Sequence, residues 1–281
     1  MDLEAMKLKG KDVKLVVFDL DGTLLNSQSK ISDHSRLAID ELRKKGIKIA
    51  IASGRIYSML KSFFEILELK DFVISSNGAS IDDLSINKPI QQLFSEPNDS
   101  KKVVEFCVAN HIECNILKRD ASYFQPYSER IAKFNLYNEH AREQQSEEIE
   151  IVTYDDGIDD YGHIEKILIH ETDSTKKKKI QRFVDENTKL MHMTSGVGYV
   201  DISSVGVSKG NAVKKIAEYM KISLDQVCVF GDYDNDISMF EVAGISVVTA
   251  NGSKNALKSA DFITLSNDDE GIAYAVIELL L

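Results

Sequence analysis

The chain is predicted to be an α/β protein: a Rossmann-like parallel-sheet core with an inserted α+β cap. Three observations predict it. Apolar runs of strand length alternate with helix-like stretches over both ends of the 281 residues, and alternating β and α units build a parallel sheet covered on both faces. Clusters of acidic, small or basic residues follow these runs, where an open α/β sheet receives its ligands. Between 82 and 190 the alternation gives way to a different mixture with a polar, acidic stretch at 139–160.

The first strand is the apolar run 13–18. Ser32 can cap a helix whose Leu37, Ile39 and Leu42 mark its apolar side and whose Gly46 ends it. A strand at 47–52, a helix at 56–69 and a strand at 72–75 follow. In the middle, strands are expected at 91–95, 113–118 and 164–171, with helices at 100–110 and 175–187. The alternation resumes with a short strand pair around 199–202, a helix at 209–220 and a strand at 227–230. A helix at 235–242, strands at 245–250 and 262–265 and a last helix from Gly271 complete the chain. The expected domains are therefore a core of 1–81 with 191–281 and an inserted cap of 82–190.

Composition narrows the function. A formal charge of −11 argues against broad nucleic-acid binding, which needs positive charge to displace counterions from phosphates. The one dense basic run, KKKK at 176–179, follows the helix start Thr172-Asp173-Ser174 and reads as a solvated helix face. No apolar stretch approaches the ~20 residues that span a bilayer, and the charged N-terminus lacks a signal-peptide core, so no membrane partner and a cytoplasmic location are expected. Cys107, Cys114 and Cys228 lack metal-ligand spacing and read as reduced, structural thiols. Nothing in the sequence sets an oligomeric state.

The chemistry starts in VVFDLDGTLLNS, residues 16–27, where Asp19 and Asp21 end an apolar run. Residues two apart on an extended strand project from one side, so both carboxylates can face one site. Carboxylates brought together are kept by a shared proton or a cation, and the pair suits a division of labour between attack and proton transfer. Gly22 allows a sharp turn that brings backbone amides near an anion. A calcium loop is the competing reading, but Thr23 fills its third acidic position and Lys30 its closing glutamate. A second cluster, GDYDND at 231–236, also mimics a calcium loop, and fails at Ile237, where glycine is required, and at Ala243.

Two smaller signals lie between. SGR at 53–55 ends a strand and opens a helix, so the Ser53 hydroxyl and Gly54 amide can receive an anionic oxygen at the positive end of a helix dipole. SKG at 208–210 precedes a helix, where Lys209 can be a fixed charge over a phosphate. Together the four supply a nucleophile, a phosphate clamp, a neutralising cation and an all-oxygen magnesium site, which phosphoryl transfer through an aspartyl-phosphate requires.

FDLDGT, ASGR, VSKG and GDYDND resemble the four motifs of the haloacid dehalogenase-like phosphohydrolases, and SNGA at 76–79 with the large insert resembles the Cof-type subgroup. The resemblance implies Asp19 as nucleophile and Asp21 as general acid, then base. It implies Ser53, Gly54 and Lys209 around the phosphate. Asp232 would ligate Mg2+ with the Asp19 carboxylate and the Asp21 carbonyl, while Asn235 and Asp236 would serve the phosphate and the metal's water shell. An aspartate at position 21 is similar to the phosphatases and phosphomutases and unlike the dehalogenases and cation pumps.

The expected function is a magnesium-dependent phosphatase of small phosphomonoesters. A phosphorylated sugar or related metabolite is the first choice, and a phosphorylated cofactor or nucleotide the second. The alternative within the family is a phosphomannomutase-like sugar phosphomutase, which would need a bisphosphate primer. A non-catalytic sensor would have lost a charged motif residue, and none is missing. A dinucleotide enzyme would need a full glycine fingerprint, whereas Gly196 and Gly198 lead into a strand. The insert between Ser53 and Lys209 is larger than a connecting loop and is expected to roof the site and select the leaving group, its Asp155, Asp156, Asp159 and Asp160 being solvated surface.

Overall fold

A computed structural model describes residues 3–143, 147–196 and 198–281. The chain divides into two units, the first made of Met1–Ser53, Leu67–Ile90 and Ser208–Leu281 and the second of Gly54–Ile66 and Gln91–Val207.

The first unit is built on an eight-stranded sheet. From one edge its strands are Phe262–Ile263, Ile245–Val248, Val227–Gly231, Leu15–Asp19, Lys48–Ala52, Phe72–Ser75, Ser80–Asp83 and Lys88–Gln92. The pairings from Phe262–Ile263 through Phe72–Ser75 are parallel. The two central strands, Leu15–Asp19 and Val227–Gly231, are buried at every position, as expected of strands covered on both faces. Leu15 and Val17 point with Val227 and Val229 into a cluster that also takes Ala212, Val213, Ile216 and Ala217 of the Lys209–Met220 helix. The alternate residues Phe18 and Phe230 stack at 4.8 Å. Ser32 caps the Asp33–Lys44 helix by accepting from the Ser35 amide, and Gly46 follows it at φ +77°. That helix buries Ala38, Ile39 and Leu42, whereas Leu37, expected on the same face, is 63% exposed.

Two boundaries differ from the expected ones. After Ser75 the chain reverses through 76–79, and Ser80–Asp83 returns antiparallel along Phe72–Ser75, so residues 82–90 stay with the first unit and do not open the insert. At the other end, the edge strand Met191–Gly196 pairs with Tyr199–Ser203, which pairs in turn with Lys166–His170, and 191–207 belongs to the second unit. Gly196 and Gly198 close this hairpin, with Val197 between them outside the described residues. The expected helix at 56–69 is a 3-10 turn, Tyr57–Leu60, followed by Lys61–Ile66, and it packs within the second unit.

The second unit carries a six-stranded sheet ordered Met191–Gly196, Tyr199–Ser203, Lys166–His170, Cys114–Leu117, Ala121–Phe124 and Glu150–Thr153. Side-chain alternation divides its core. Ile167 and Ile169 join the Pro97–Ala109 and Ser174–Asn187 helices through Val103, Cys107, Ile180 and Val184, while Leu168 meets Phe124 and Phe134 on the other face. All three cysteines are buried and free. Lys176, Lys178 and Lys179 are exposed, as are Asp155, Asp156, Asp159 and Asp160; residues 144–146 of the acidic stretch lie outside the described residues. Among the described residues no helix is long and apolar enough to cross a membrane.

Candidate active site

Parallel strands deliver their carboxyl ends to one edge of the first unit, and that edge gathers the charges. Asp19 is the last residue of its strand and pairs in register with Ala52, one residue before Ser53. The neighbouring strand ends at Gly231, which brings in Asp232 and the 3-10 turn Asp234–Asp236. Lys209 is the first residue of the helix capped by Ser208, whose side chain accepts from the Asn211 amide.

These residues meet in a buried cluster. The Lys209 ammonium donates to Asp19 Oδ1 at 2.5 Å and to Asp236 Oδ1 at 2.5 Å. Lys209 is only 1% exposed, so its charge depends on both partners. Asp236 accepts at its other oxygen from the amides of Asp232, 2.9 Å, and Tyr233, 3.0 Å. Asp232 accepts from the Thr23 hydroxyl at 3.0 Å. Carboxylate oxygens of Asp19, Asp232 and Asp236 lie within 4.8 Å of one another.

Burial drives the electrostatics. It pushes the Asp19 carboxyl above the ordinary range; Lys209 opposes that shift, and Asp236 and Asp232 add to it. Asp232 is pushed up to about 6, by burial first and the charge of Asp236 second. Burial disfavours the charge of Lys209, but Asp19 and Asp236 outweigh it and hold the ammonium above its usual pKa. Fully ionised, three carboxylates and one ammonium leave two negative charges in a space with little water. An all-oxygen donor set with that charge fits one small, hard divalent cation.

The remaining expected residues fall into place differently. The strand ends at Asp19, and the chain turns back through Thr23 and Leu25, whose amides donate to the Leu20 carbonyl. Asp21 is therefore exposed on a turn, held by a bridge to Leu25, and not the next inward position of an extended strand. Ser53 is buried in the first unit, its amide donating to the Ile74 carbonyl at 2.9 Å. Gly54 begins the second unit, where its carbonyl accepts from Lys166 at 2.7 Å. Ser53 and Gly54 both precede the cap residue Ile56 of the 3-10 turn, so the expected helix N-terminus is not at their amides. Asn235 donates to Asn77 Oδ1 at 3.0 Å. Thr23, Asn77, Thr249 and Asn251 were not expected from the sequence; the last two donate to the Gly22 carbonyl at 3.2 and 2.8 Å and steady the turn.

Gly22 is required twice over. It has φ +87°, and a Cβ on it would collide with the Asp232 carboxylate. Gly22→Ala is expected to cost about 1–3 kcal/mol in a denaturant melt. An unchanged melt would mean that the turn and Asp232 are not packed as described.

The fold and the acidic cluster define an α/β protein whose parallel sheet carries a buried carboxylate–lysine site at its strand ends. A family model for haloacid dehalogenase-like hydrolases matches residues 16–276. The chain is 27% identical over 284 residues to the 5-amino-6-(5-phospho-D-ribitylamino)uracil phosphatase YwtE of Bacillus subtilis, covering 95% of this chain and 98% of that protein. It is 28% identical over 294 residues to phosphatase YwpJ of the same organism, covering 95% and 100%. A solved haloacid dehalogenase-like hydrolase from B. subtilis is similar with a TM-score of 0.83 at 25% identity, over 95% of this chain and all of that one. The chain belongs to the haloacid dehalogenase-like hydrolases, in the Cof-type subgroup that its motifs and large insert implied.

Proposed function

We propose that this hydrolase is a magnesium-dependent phosphatase that cleaves small phosphomonoesters through an aspartyl-phosphate on Asp19. The observation that carries the reading is the Asp19 carboxylate, held by buried Lys209 at a strand end beside Asp232 and Asp236. Lys209 fixes one Asp19 oxygen, which leaves the other to attack phosphorus. The bond from phosphorus to the ester oxygen breaks, and Asp21 protonates the departing alcohol. Asp21 then takes a proton from water, whose oxygen attacks phosphorus and frees Asp19. The exposure of Asp21 suits a group that exchanges protons with leaving group and solvent. Ser53, the Gly54 amide, Lys209 and Asn235 hold the phosphate oxygens.

Asp19, Asp232 and the Asp21 carbonyl would hold Mg2+, with Asp236 orienting Lys209 and the Asp232 backbone. The ion, when bound, neutralises charge between the carboxylates and a phosphate dianion. The second unit would select the leaving group. The relative YwtE is named for a substrate with a phosphorylated ribityl chain, which supports a phosphorylated sugar or related metabolite before a nucleotide or phosphorylated cofactor. A hydrolysis screen over sugar phosphates, nucleotides, pyridoxal phosphate and flavin mononucleotide tests this. Activity is expected with Mg2+, little with Ca2+ and none in EDTA; full turnover in metal-free buffer would contradict the proposal.

The elevated pKa of Asp232 gives a second test. A carboxyl raised from 3.8 to about 6 binds extra proton in the folded state. The stability this contributes without a cation is present at low pH and lost as pH rises through about 6. Mg2+ competes with that proton, so its rise in thermal midpoint should be larger at about pH 7.5 than at about pH 5. Asp232→Asn should shrink the difference and leave the part that Asp19, also raised, contributes. An equal Mg2+ shift at both pH values in the unaltered protein would exclude Asp232 as a ligand.

A further inference from the structure

The SNGA turn at 76–79 has no part in the reaction above, yet its backbone beside the site is unusual. Ser76, Asn77 and Gly78 take φ of +50°, +58° and +104°, three successive residues in the left-handed region. Outside glycine, that conformation is sterically disfavoured, and asparagine tolerates it best. The turn is buried, with Ser76 and Asn77 at 1% and 2% exposure, so the surrounding contacts must hold it.

Those contacts lead to three parts of the site. The Asn77 amide donates to the Ser53 carbonyl at 2.9 Å. Asn77 Oδ1 accepts from Asn235 Nδ2 at 3.0 Å, across 158 residues of sequence. Gly78 packs so tightly on the Ser208 carbonyl that a Cβ would stand 2.5 Å from it, and Ser208 caps the helix that begins with Lys209. One turn thus touches the segments carrying Ser53, Asn235 and Lys209.

We propose that Asn77 is a positioning residue for phosphate binding. Its side-chain oxygen holds one N–H of the Asn235 amide and so aims the second N–H at the phosphate, while its backbone amide sets the Ser53 segment. This rests on the reading of Ser53 and Asn235 as phosphate-binding residues. The left-handed φ is the condition for the arrangement, because it lets backbone amide and side chain of one residue reach two different segments.

Asn77→Gly isolates the side chain, since glycine keeps the left-handed φ and the N–H to Ser53. With p-nitrophenyl phosphate and Mg2+, the variant should raise KM about tenfold with a smaller change in kcat, the pattern of a lost binding contact. Its thermal midpoint should stay near that of the unaltered protein. In an Asn235→Ala background the same substitution should raise KM no further, because it acts through Asn235. An unchanged KM in Asn77→Gly, or the full added effect in the double variant, overturns the proposal. So does a large fall in midpoint accompanied by equal losses of kcat at unchanged KM. If the unaltered protein hydrolyses no phosphomonoester, the phosphatase reading falls and this proposal with it; if it does and Asn77→Gly matches it, only the role of Asn77 falls.

Discussion

Asp19→Asn is expected to lower turnover on the order of a thousandfold or more, because an amide nitrogen cannot replace the carboxylate in the proposed attack. The fold should persist. Asparagine has the same size and keeps an oxygen that can accept from Lys209, now 2.5 Å from Asp19 Oδ1. It also removes one of three mutually repelling buried carboxylates, so the cation-free protein should melt at the same temperature or higher. Lost turnover with an intact melt assigns Asp19 to chemistry. Turnover close to that of the unaltered protein, in a preparation free of it, would remove the nucleophile from the scheme.

Lys209→Ala carries the second large effect. The ammonium is buried between Asp19 and Asp236, and removing one partner of such a group leaves uncompensated charge, which typically costs about 3–5 kcal/mol. Mg2+ should restore part of this stability. Activity should nevertheless fall about a hundredfold or more even where the fold is held by the metal, because Lys209 bonds Asp19 and, in the proposed reaction, also neutralises the phosphate. Lys177→Ala is the control. Lys177 lies in the lysine run of the Ser174–Asn187 helix, and its loss should leave kcat and KM unchanged. Equal losses in the two variants would mean that the lysine run, and not Lys209, supplies the charge the substrate meets.

What the sequence announced, and what it concealed, follows from how local each determinant is. The Lys209–Met220 helix is found at its expected limits because Ser208 caps it and its apolar residues keep a helical period. The central strands are nearly continuous apolar runs and need no context. Ala121–Phe124 and Glu150–Thr153 escaped notice because they are four-residue strands with polar residues among the apolar ones. Arg130–Glu143 lacks a clear apolar stripe, so periodicity does not mark it. Leu37 was misplaced because a hydrophobic side chain on a surface helix need not face the core. The boundaries at 82 and 190 moved because strand pairing decides which sheet a segment joins, and Ser80–Asp83 and Met191–Gly196 find their partners through tertiary contacts.

Part of the candidate site could be read in the same local way, although Asp21 lies on a turn and Ser53 and Gly54 open no helix. Asp19, Lys209, Asp232 and Asp236 stand at strand or helix ends, where type and position can be read together. Asn77 could not be found that way. Its link to Asn235 depends on a left-handed turn and on two segments that meet only in the folded protein.

The most direct measurement of the central claim is to trap the phosphorylated enzyme. Asp21→Asn should slow hydrolysis of the acyl phosphate while leaving attack possible on an aryl phosphate, whose leaving group needs no proton. Acid quench after mixing with p-nitrophenyl phosphate and Mg2+, followed by peptide mass spectrometry, should find one added phosphoryl group on the peptide containing Asp19. Hydroxylamine should remove it, and Asp19→Asn should abolish it. Phosphoryl transfer to another residue, or rapid turnover with no phosphorylated peptide at any quench time, would contradict an aspartyl-phosphate at Asp19.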